Sequence, residues 1–158
     1  MLSCTLALLI AAPANAEASA SDRVLLVVSG YGADDGKTRP GFEMDELSQA
    51  YAVFSDNGLQ VDIASPTGGA VVAEKFNRNK PYNARFLSDS NAVAKLTSTQ
   101  SIANLRDKKY SAIFIIGGKG AMFDLPVSAD LKTMLARTYE EGGVIGAVCH
   151  GPAVLMNL

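Results

Sequence analysis

A chain of 158 residues has the length of one domain and can bury a hydrophobic core of its own. With 48% apolar and 19% charged residues, its composition is typical of a globular α/β protein. A formal net charge of −2 gives no electrostatic reason to expect a nucleic-acid partner.

The first 22 residues differ in composition from the rest. The apolar run 6–12 is too short to span a bilayer, and Ala14–Ala16 has the small-x-small pattern of a secretory cleavage site. We therefore predict a signal peptide over residues 1–16 and a linker over residues 17–22, although no Lys or Arg precedes the apolar run. Export would place the protein in the periplasm or outside the cell, and without export it would be cytoplasmic. Cleavage would leave Cys149 as the only cysteine, and an unpaired thiol in an exported protein indicates reactivity.

Strands and helices are expected to alternate along the remainder of the chain. Short apolar runs predict strands over residues 23–29, 59–64, 110–116 and 144–148. Helical spacing predicts helices over residues 42–57, 90–96, 101–105 and 129–141, and a further one opening at Pro152. Residues 70–90 have no clear period and are assigned no element. The alternation predicts a parallel sheet with helices on both faces and a ligand site at the carboxyl ends of its strands, where the loops at Gly30, Ser65, Gly117 and Cys149 meet.

The last predicted strand runs into a sharp turn at residues 149–151 and then into a helix. This is the geometry of a nucleophile elbow, with Cys149 exposed at the end of the sheet. A thiol there is expected to ionise more easily than a free cysteine, because the helix start points its N–H groups at it. The N–H of His150 would meet an oxyanion. A buried, inert cysteine is the alternative, but His150, the only histidine of the chain, favours a reactive thiol.

Two other segments could complete a site around this thiol. The glycine cluster 117–120 is either a turn that needs positive φ or a row of N–H donors lining an oxyanion pocket. It lacks the Lys-Ser or Lys-Thr pair of a Walker A loop and does not form a G-x-G-x-x-G motif. The acids Glu43, Asp45 and Glu46 begin a helix, where they either complement its dipole or supply one carboxylate that shares a proton with Cys149. The helical spacing of the three acids does not indicate which of them faces Cys149.

Residues 113–120, 147–155 and 40–46 resemble three characteristic segments of the ThiJ/PfpI superfamily. This superfamily includes the parkinsonism-associated deglycase and is related to class I glutamine amidotransferases. The segment ending in Phe123–Pro126 is most similar to its heat-shock chaperone and glyoxalase III branch. The resemblance implies a flavodoxin-like three-layer sandwich with a mainly parallel sheet over residues 23–158, and a homodimer at full length.

The resemblance also implies roles for individual residues. By position, Cys149 is the nucleophile, His150 is its partner, and Glu46 is the acid hydrogen-bonded to the thiol. Gly118 and the His150 backbone form the oxyanion site, and Lys119, where the branch often has His, contacts the substrate. The implied activity is that of a glutathione-independent glyoxalase, converting methylglyoxal to lactate, or of a protein deglycase. No metal or cofactor is implied, and the implied partners are a small 2-oxoaldehyde and unfolded protein clients, without nucleic acid or membrane.

Members of the superfamily continue beyond the position that matches Leu158, with more strands and an acid that orients the histidine. We therefore expect a sheet that is incomplete at the C-terminus and a truncated fragment with weak or no activity. A holdase-type stress chaperone and a non-catalytic remnant are the alternative functions. An amidotransferase would need a histidine and a glutamate later in the chain, and the adjacent Cys149–His150 pair argues against it.

Overall fold

The computed structural model describes residues 23–32, 34, 37–156 and 158. The predicted signal peptide and linker lie outside the described residues. The strands are β1 (Arg23–Val27), β2 (Gln60–Ser65), β3 (Gln100–Ser101), β4 (Ala112–Ile115) and β5 (Val144–Ala147). The helices are α1 (Met44–Asp56), α2 (Pro81–Ser88), α3 (Ser90–Thr97) and α4 (Ala129–Glu140). None of the helices in these ranges has the length and apolar character needed to cross a bilayer.

The five strands in the described part of the chain form one sheet in the order β3-β2-β1-β4-β5, and all neighbouring strands are parallel. Apart from the two-residue β3, the order is that of a flavodoxin-like sheet. The chain reverses its direction of winding between β1 and β4, which is the switch point where such sheets bind ligands. The predicted parallel α/β sandwich is therefore confirmed.

Strand β1 shows why the sheet is covered on both faces. All of its residues after Arg23 are buried, and successive side chains point to opposite faces. Leu25 and Val27 join the core cluster under α4, whereas Val24 and Leu26 join the cluster under α1, α2 and α3. At about 25 cal/mol per Å² of buried apolar area, these two clusters are the main source of stability.

The predicted strands and the two long helices agree with the structure to within a few residues. Residues 70–90, which lacked a clear period, contain α2, a short helix that begins at Pro81 and buries only Asn83 and Phe86. Two buried residues in eight, only one of them apolar, give too little periodicity to recognise. The order of the layers is unaffected by this omission.

Two helices predicted from the sequence are wrong in type. Ala103–Leu105 is a single 3₁₀ turn, and Gln100–Ser101 before it pairs with β2 as β3. The segment beginning at Pro152 is part of a 3₁₀ turn, Gly151–Leu155, and not an α-helix. A turn of five residues carries a much smaller dipole than an α-helix. The expected helix-dipole effect on Cys149 therefore loses its structural basis.

The loops at the carboxyl edge of the sheet are joined by backbone hydrogen bonds. Phe42 donates its N–H to the carbonyl of Val72 (3.2 Å) and accepts from Glu74 N–H (2.8 Å). On the other side, Glu43 N–H donates to the carbonyl of Gly117 (3.1 Å). The start of α1 is thereby fixed between the segment after β2 and the loop after β4, next to the end of β5.

Candidate active site

Cys149 is held in an unusual backbone conformation directly after β5. Its φ is 54°, and it is the only non-glycine residue with positive φ in the described ranges. The left-handed region is unfavourable for a residue with a Cβ, so such a conformation persists where the surrounding structure imposes it, often at functional sites. The thiol is free and exposed. The turn therefore presents the sulfur to solvent, as the elbow pattern predicts.

His150 lies beside this thiol. Its Nδ1 is 3.1 Å from the Cys149 Sγ. Across the described ranges, no carboxylate hydrogen-bonds the imidazole ring, so nothing there fixes its tautomer from the far side. The structure thus brings together the two residues of the predicted Cys-His pair, and the third member that would orient the histidine is not among the described side chains.

Glu46 is the acid of α1 that reaches the thiol's surroundings. Its Oε2 accepts the N–H of Gly117 at 2.8 Å. A Cβ added to Gly117 would lie 2.7 Å from the Cys149 Cβ and 2.8 Å from that same Oε2. The carboxylate and the cysteine side chain therefore flank the same point of the loop after β4. Among the three acids that the sequence left open, Glu46 is the one that reaches this loop. In the described ranges no hydrogen bond joins its carboxylate to the Cys149 sulfur, so its role as the acid bonded to the thiol stays a prediction.

The other two acids of the first helical turn face elsewhere. Asp45 is bonded to Lys80 and to the amide of Asn83, and these hydrogen bonds lower its pKa. Glu43 is the N-cap of α1 and accepts the N–H of Asp45 at 3.3 Å. Its pKa is raised because burial disfavours the charged form and other acids lie nearby. These two acids stabilise the helix start and its attachment to α2.

The two predicted oxyanion donors come from the loop after β4 and from the residue that follows the thiol. Gly118 has a φ of 93°, and a Cβ there would lie 2.6 Å from the backbone of Phe42 and Glu43. In the described part of the chain, the N–H groups of Gly118 and His150 have no protein acceptor. Gly118 is also buried, so its unpaired N–H would be costly unless a ligand oxygen accepts it. Both donors are available to a substrate.

Lys119 lies differently from what its predicted role suggests. Its backbone N–H donates to the Oε1 of Glu74 at 2.6 Å, and the residue is exposed. Its side chain lines a cleft of about 370 Å³ together with Arg39 and Lys75. The structure shows no contact between the Lys119 side chain and Cys149, so its role in substrate binding stays a prediction.

Sequence reasoning missed Asp124, which anchors the loop after β1. Its carboxylate accepts the hydroxyl of Ser29 (2.8 Å) and the N–H of Gly30 (2.7 Å). Burial raises the pKa of Asp124, against the opposing effect of these hydrogen bonds. The signal that could have identified it is its position as the only acid between the glycine cluster and α4's cap at Ser128.

Within residues 23–32, 34, 37–156 and 158, no three His, Cys, Asp or Glu side chains are placed to hold a metal ion. The groups that remain for chemistry are a thiol, an imidazole, one carboxylate and two free amide donors. This set is suited to covalent attack on a carbonyl group, with the amides receiving the negative charge on its oxygen.

Residues 38–158 match the model of the DJ-1/PfpI family. The glutathione-independent glyoxalase hsp3102 of Schizosaccharomyces pombe is 32% identical over 146 residues, which cover 85% of this chain and 59% of the yeast protein. Among solved structures, the Rapid Encystment Protein 24 kDa of Francisella tularensis superposes with a TM-score of 0.77 at 32% identity, covering 86% of this chain and 62% of that one. Glyoxalase III of Candida albicans gives a TM-score of 0.76 at 26% identity, covering 89% and 62%.

The chain thus spans about three fifths of the length of the curated relatives that it matches. The family match, over residues 38–158, includes strands β2 to β5 and the turn at Cys149.

Proposed function

The chain belongs to the DJ-1/PfpI family, and from this premise we propose that it acts as a glutathione-independent glyoxalase, converting methylglyoxal to lactate through Cys149. The observation that carries the proposal is the exposed thiol at positive φ, with His150 Nδ1 at 3.1 Å and the unpaired N–H groups of Gly118 and His150 beside it. The names of the relatives support the same reaction: several are glutathione-independent glyoxalases.

The first step is covalent. His150 takes the thiol proton, and the sulfur attacks the aldehyde carbon of methylglyoxal to form a hemithioacetal. The aldehyde oxygen becomes an oxyanion that accepts hydrogen bonds from the N–H groups of Gly118 and His150. Because both donors are already oriented by the backbone, they stabilise the developing charge without rearrangement.

The second step moves one proton from the former aldehyde carbon to the adjacent carbon, while the proton that His150 took from the thiol passes to the ketone oxygen, which becomes the lactyl hydroxyl. Glu46 carries the proton between the two carbons, since Oε2 is engaged by Gly117 N–H and Oε1 is left for the proton. The product is a lactyl thioester on Cys149. Water then cleaves the C–S bond, which releases lactate and restores the thiol, so that methylglyoxal and one water give lactic acid without a redox partner.

Covalent capture tests this proposal without depending on full turnover. The protein is incubated with methylglyoxal in the absence of glutathione, adducts are located by mass spectrometry, and lactate is measured in parallel. We expect one adduct at Cys149, formed at least ten times faster than on N-acetylcysteine, and no adduct with Cys149→Ala.

Circular dichroism of Cys149→Ala serves as the control for folding, because the substitution removes one exposed atom and leaves the core unchanged. Capture at the rate of a free thiol, or unchanged lactate formation by Cys149→Ala, would show that the reaction assigned to this sulfur is wrong.

A holdase-type chaperone activity is a second candidate, supported by apolar surface around β5. Val144 in that strand is 65% exposed. Val53 lies in an apolar groove on one side of it, and Tyr139, Leu155 and Leu158 line another on the other side. Such a surface would bind exposed apolar segments of unfolded clients without using the thiol. This activity would therefore survive in Cys149→Ala.

A further inference from the structure

The cleft that contains the Lys119 side chain has a charge opposite to that of the whole protein. Its lining includes three cationic side chains, from Arg39, Lys75 and Lys119, and one carboxylate, from Glu74. The lining therefore carries a formal charge of +2, whereas the chain as a whole carries −2. A local field of this sign attracts anions even on an acidic protein.

Two of these cations are not neutralised by acids. Arg39 pairs with Asp34 (Nε–Oδ2, 3.7 Å) and lies over the ring of Tyr31. By contrast, the ammonium groups of Lys75 and Lys119 have no ion pair or hydrogen bond with any described residue. Elsewhere, acids pair with five basic residues: Lys80, Arg85, Arg106, Lys108 and Lys109.

The carboxylate in the cleft is already engaged. Glu74 Oε1 accepts the backbone N–H of Lys119 at 2.6 Å, and Glu74 N–H bonds the carbonyl of Phe42 at 2.8 Å. These bonds hold Glu74 to the loop after β4, so that its carboxylate forms part of the surface of the cleft. They also fix the backbone of Lys119, so that its side chain starts from a defined position.

The cleft adjoins the candidate active site through this same loop. Lys119 is two residues from Gly117, whose missing Cβ would contact Cys149, and two residues span at most about 7 Å. Gly118, between them, supplies one of the free N–H donors. A substrate bound covalently to Cys149 could therefore extend over Gly118 toward Lys119 and Lys75.

Resting on the proposed function, we infer that the cleft formed by Arg39, Lys75 and Lys119 binds an anionic group, phosphate or carboxylate, carried by the carbonyl substrate several bonds from its aldehyde. The preferred substrates are then anionic 2-oxoaldehydes, and neutral methylglyoxal uses only the thiol and its amide donors. Charge-assisted hydrogen bonds from two lysines and the arginine supply the selectivity.

The first test measures how Cys149 distinguishes two alkylating reagents, iodoacetate and iodoacetamide, which differ in charge. The variants are Lys75→Gln, Lys119→Gln and the double substitution, each exposed and expected to fold. We expect the iodoacetate-to-iodoacetamide rate ratio to fall about fivefold in the double variant and to fall with added salt in the wild type. Lys109→Gln, which makes the same change of net charge as either single variant but at the Glu141 ion pair, should leave the ratio unchanged.

The second test uses substrates. In wild type, 4-carboxyphenylglyoxal should react with Cys149 more efficiently than phenylglyoxal, and the double variant should lose this preference. Inorganic phosphate and acetate are then compared for how strongly each slows the alkylation of Cys149 by iodoacetate, which shows the anion that the cleft prefers. Slowing by either anion supports the inference.

Rate ratios that do not respond to the lysine variants, together with no competition by either anion, would overturn the inference. This outcome is distinguishable from failure of the proposed function, since alkylation of the thiol requires no turnover. A charge-sensitive thiol that captures no methylglyoxal would refute the glyoxalase proposal and leave the anion-binding cleft in place.

Discussion

Gly117 is the residue where the thiol and the carboxylate of the candidate site meet. Its N–H is bonded to Glu46, and the space that a Cβ would occupy lies 2.7 Å from the Cβ of Cys149 and 2.9 Å from the carbonyl of Val148. Real Cβ atoms do not approach other atoms this closely. The absence of a side chain at this residue thus sets the distance between nucleophile and acid.

We predict that Gly117→Ala moves both groups apart. Overpacking of this kind costs about 1–3 kcal/mol of unfolding free energy. The rate of methylglyoxal capture at Cys149 should fall at least 50-fold. Urea unfolding and adduct kinetics measure the two effects. Gly58→Ala is the control: it has a φ of 78° and open space around it, so it should lower stability and leave capture unchanged. Normal capture by Gly117→Ala would contradict this role of the glycine.

Replacing each acid by its amide distinguishes the role of Glu46 from that of Glu43 at the start of the same helix. Glu46→Gln keeps an oxygen that accepts Gly117 N–H but cannot carry a proton, so lactate formation should fall about 100-fold at unchanged stability. Glu43→Gln should change the rate less than threefold, because Glu43 caps α1. Equal effects in the two variants, measured by lactate release and thermal unfolding, would mean that Glu46 acts only through the charge of the helix start.

The site could be predicted from sequence only in part. The thiol and imidazole follow from the pattern of a strand, a cysteine-histidine pair and a glycine. The acid does not, because Glu43, Asp45 and Glu46 occupy one helical turn, and what distinguishes them is a contact with Gly117 from a distant strand. Contacts between residues 71 positions apart leave no local pattern in the sequence.

At the scale of elements, periodicity predicts those that bury a continuous face. Helix α4 buries most of one face, so its residue types repeat with the period of a helix, whereas strand β1 is buried on both faces and is predicted by a continuous apolar run. Helix α2 and the 3₁₀ turns bury few residues and are fixed by tertiary contacts, such as the 2.6 Å bond from Ser48 Oγ to Asn83. Their type is therefore decided by their neighbours and not by their own sequence.

Strand β2 is tied to the turn before β4 by one carboxylate, which makes stability depend on pH. Asp62 accepts from Lys108 Nζ (2.7 Å) and Tyr110 Oη (2.8 Å). Burial alone would raise its pKa, but these bonds and the nearby lysines outweigh burial and lower it. A carboxyl whose folded pKa is depressed stabilises the fold above its unfolded value, about 3.9, and the stabilisation is lost as pH falls further.

We predict that Asp62→Asn lowers the free energy of unfolding at pH 7 by about 1–3 kcal/mol, because Lys108 and Tyr110 lose a charged acceptor. The difference from wild type should shrink as the pH falls from about 4 to 2.5. Urea denaturation across this range measures it. Exposed Asp107, replaced by Asn, is the control and should change little. A difference that stays constant with pH would contradict the assigned cause.

At the scale of the whole molecule, the apolar surface is concentrated beside β5. The strand is an edge of the sheet in the described ranges, and its N–H groups at Val144 and Val148 already bond Ser111 and Ile115 on β4. The backbone groups of Ile145 and Ala147 therefore point outward, as alternate residues of a strand do. Apolar grooves of about 440 and 390 Å³ flank them on the two faces of the sheet.

We predict that Val144→Lys reduces both self-association and holdase activity. A lysine on an edge strand opposes pairing with another chain, and Val144 is 65% exposed, so the core is unaffected. The self-associated fraction, measured by sedimentation velocity at high concentration, and the suppression of client aggregation should each drop by at least half. The rate of Cys149 alkylation should be unchanged. Val127→Lys, 78% exposed and outside both grooves, is the matched substitution and should alter neither. Equal losses in the two variants would contradict a specific role for the β5 edge.

The hydrogen bonds that join three loops around Gly118 have a consequence for the order of events during folding. Phe42, Glu74 and Gly117 all precede Cys149 in the chain, and so do Glu46 and Gly118, which supply the carboxylate and one of the two amide donors of the candidate site. Until β5 docks, the sulfur is that of an ordinary unfolded peptide, and docking alone brings it next to the loop that contains Gly117. A brief alkylation pulse applied at successive times of refolding would therefore show when β5 joins the sheet.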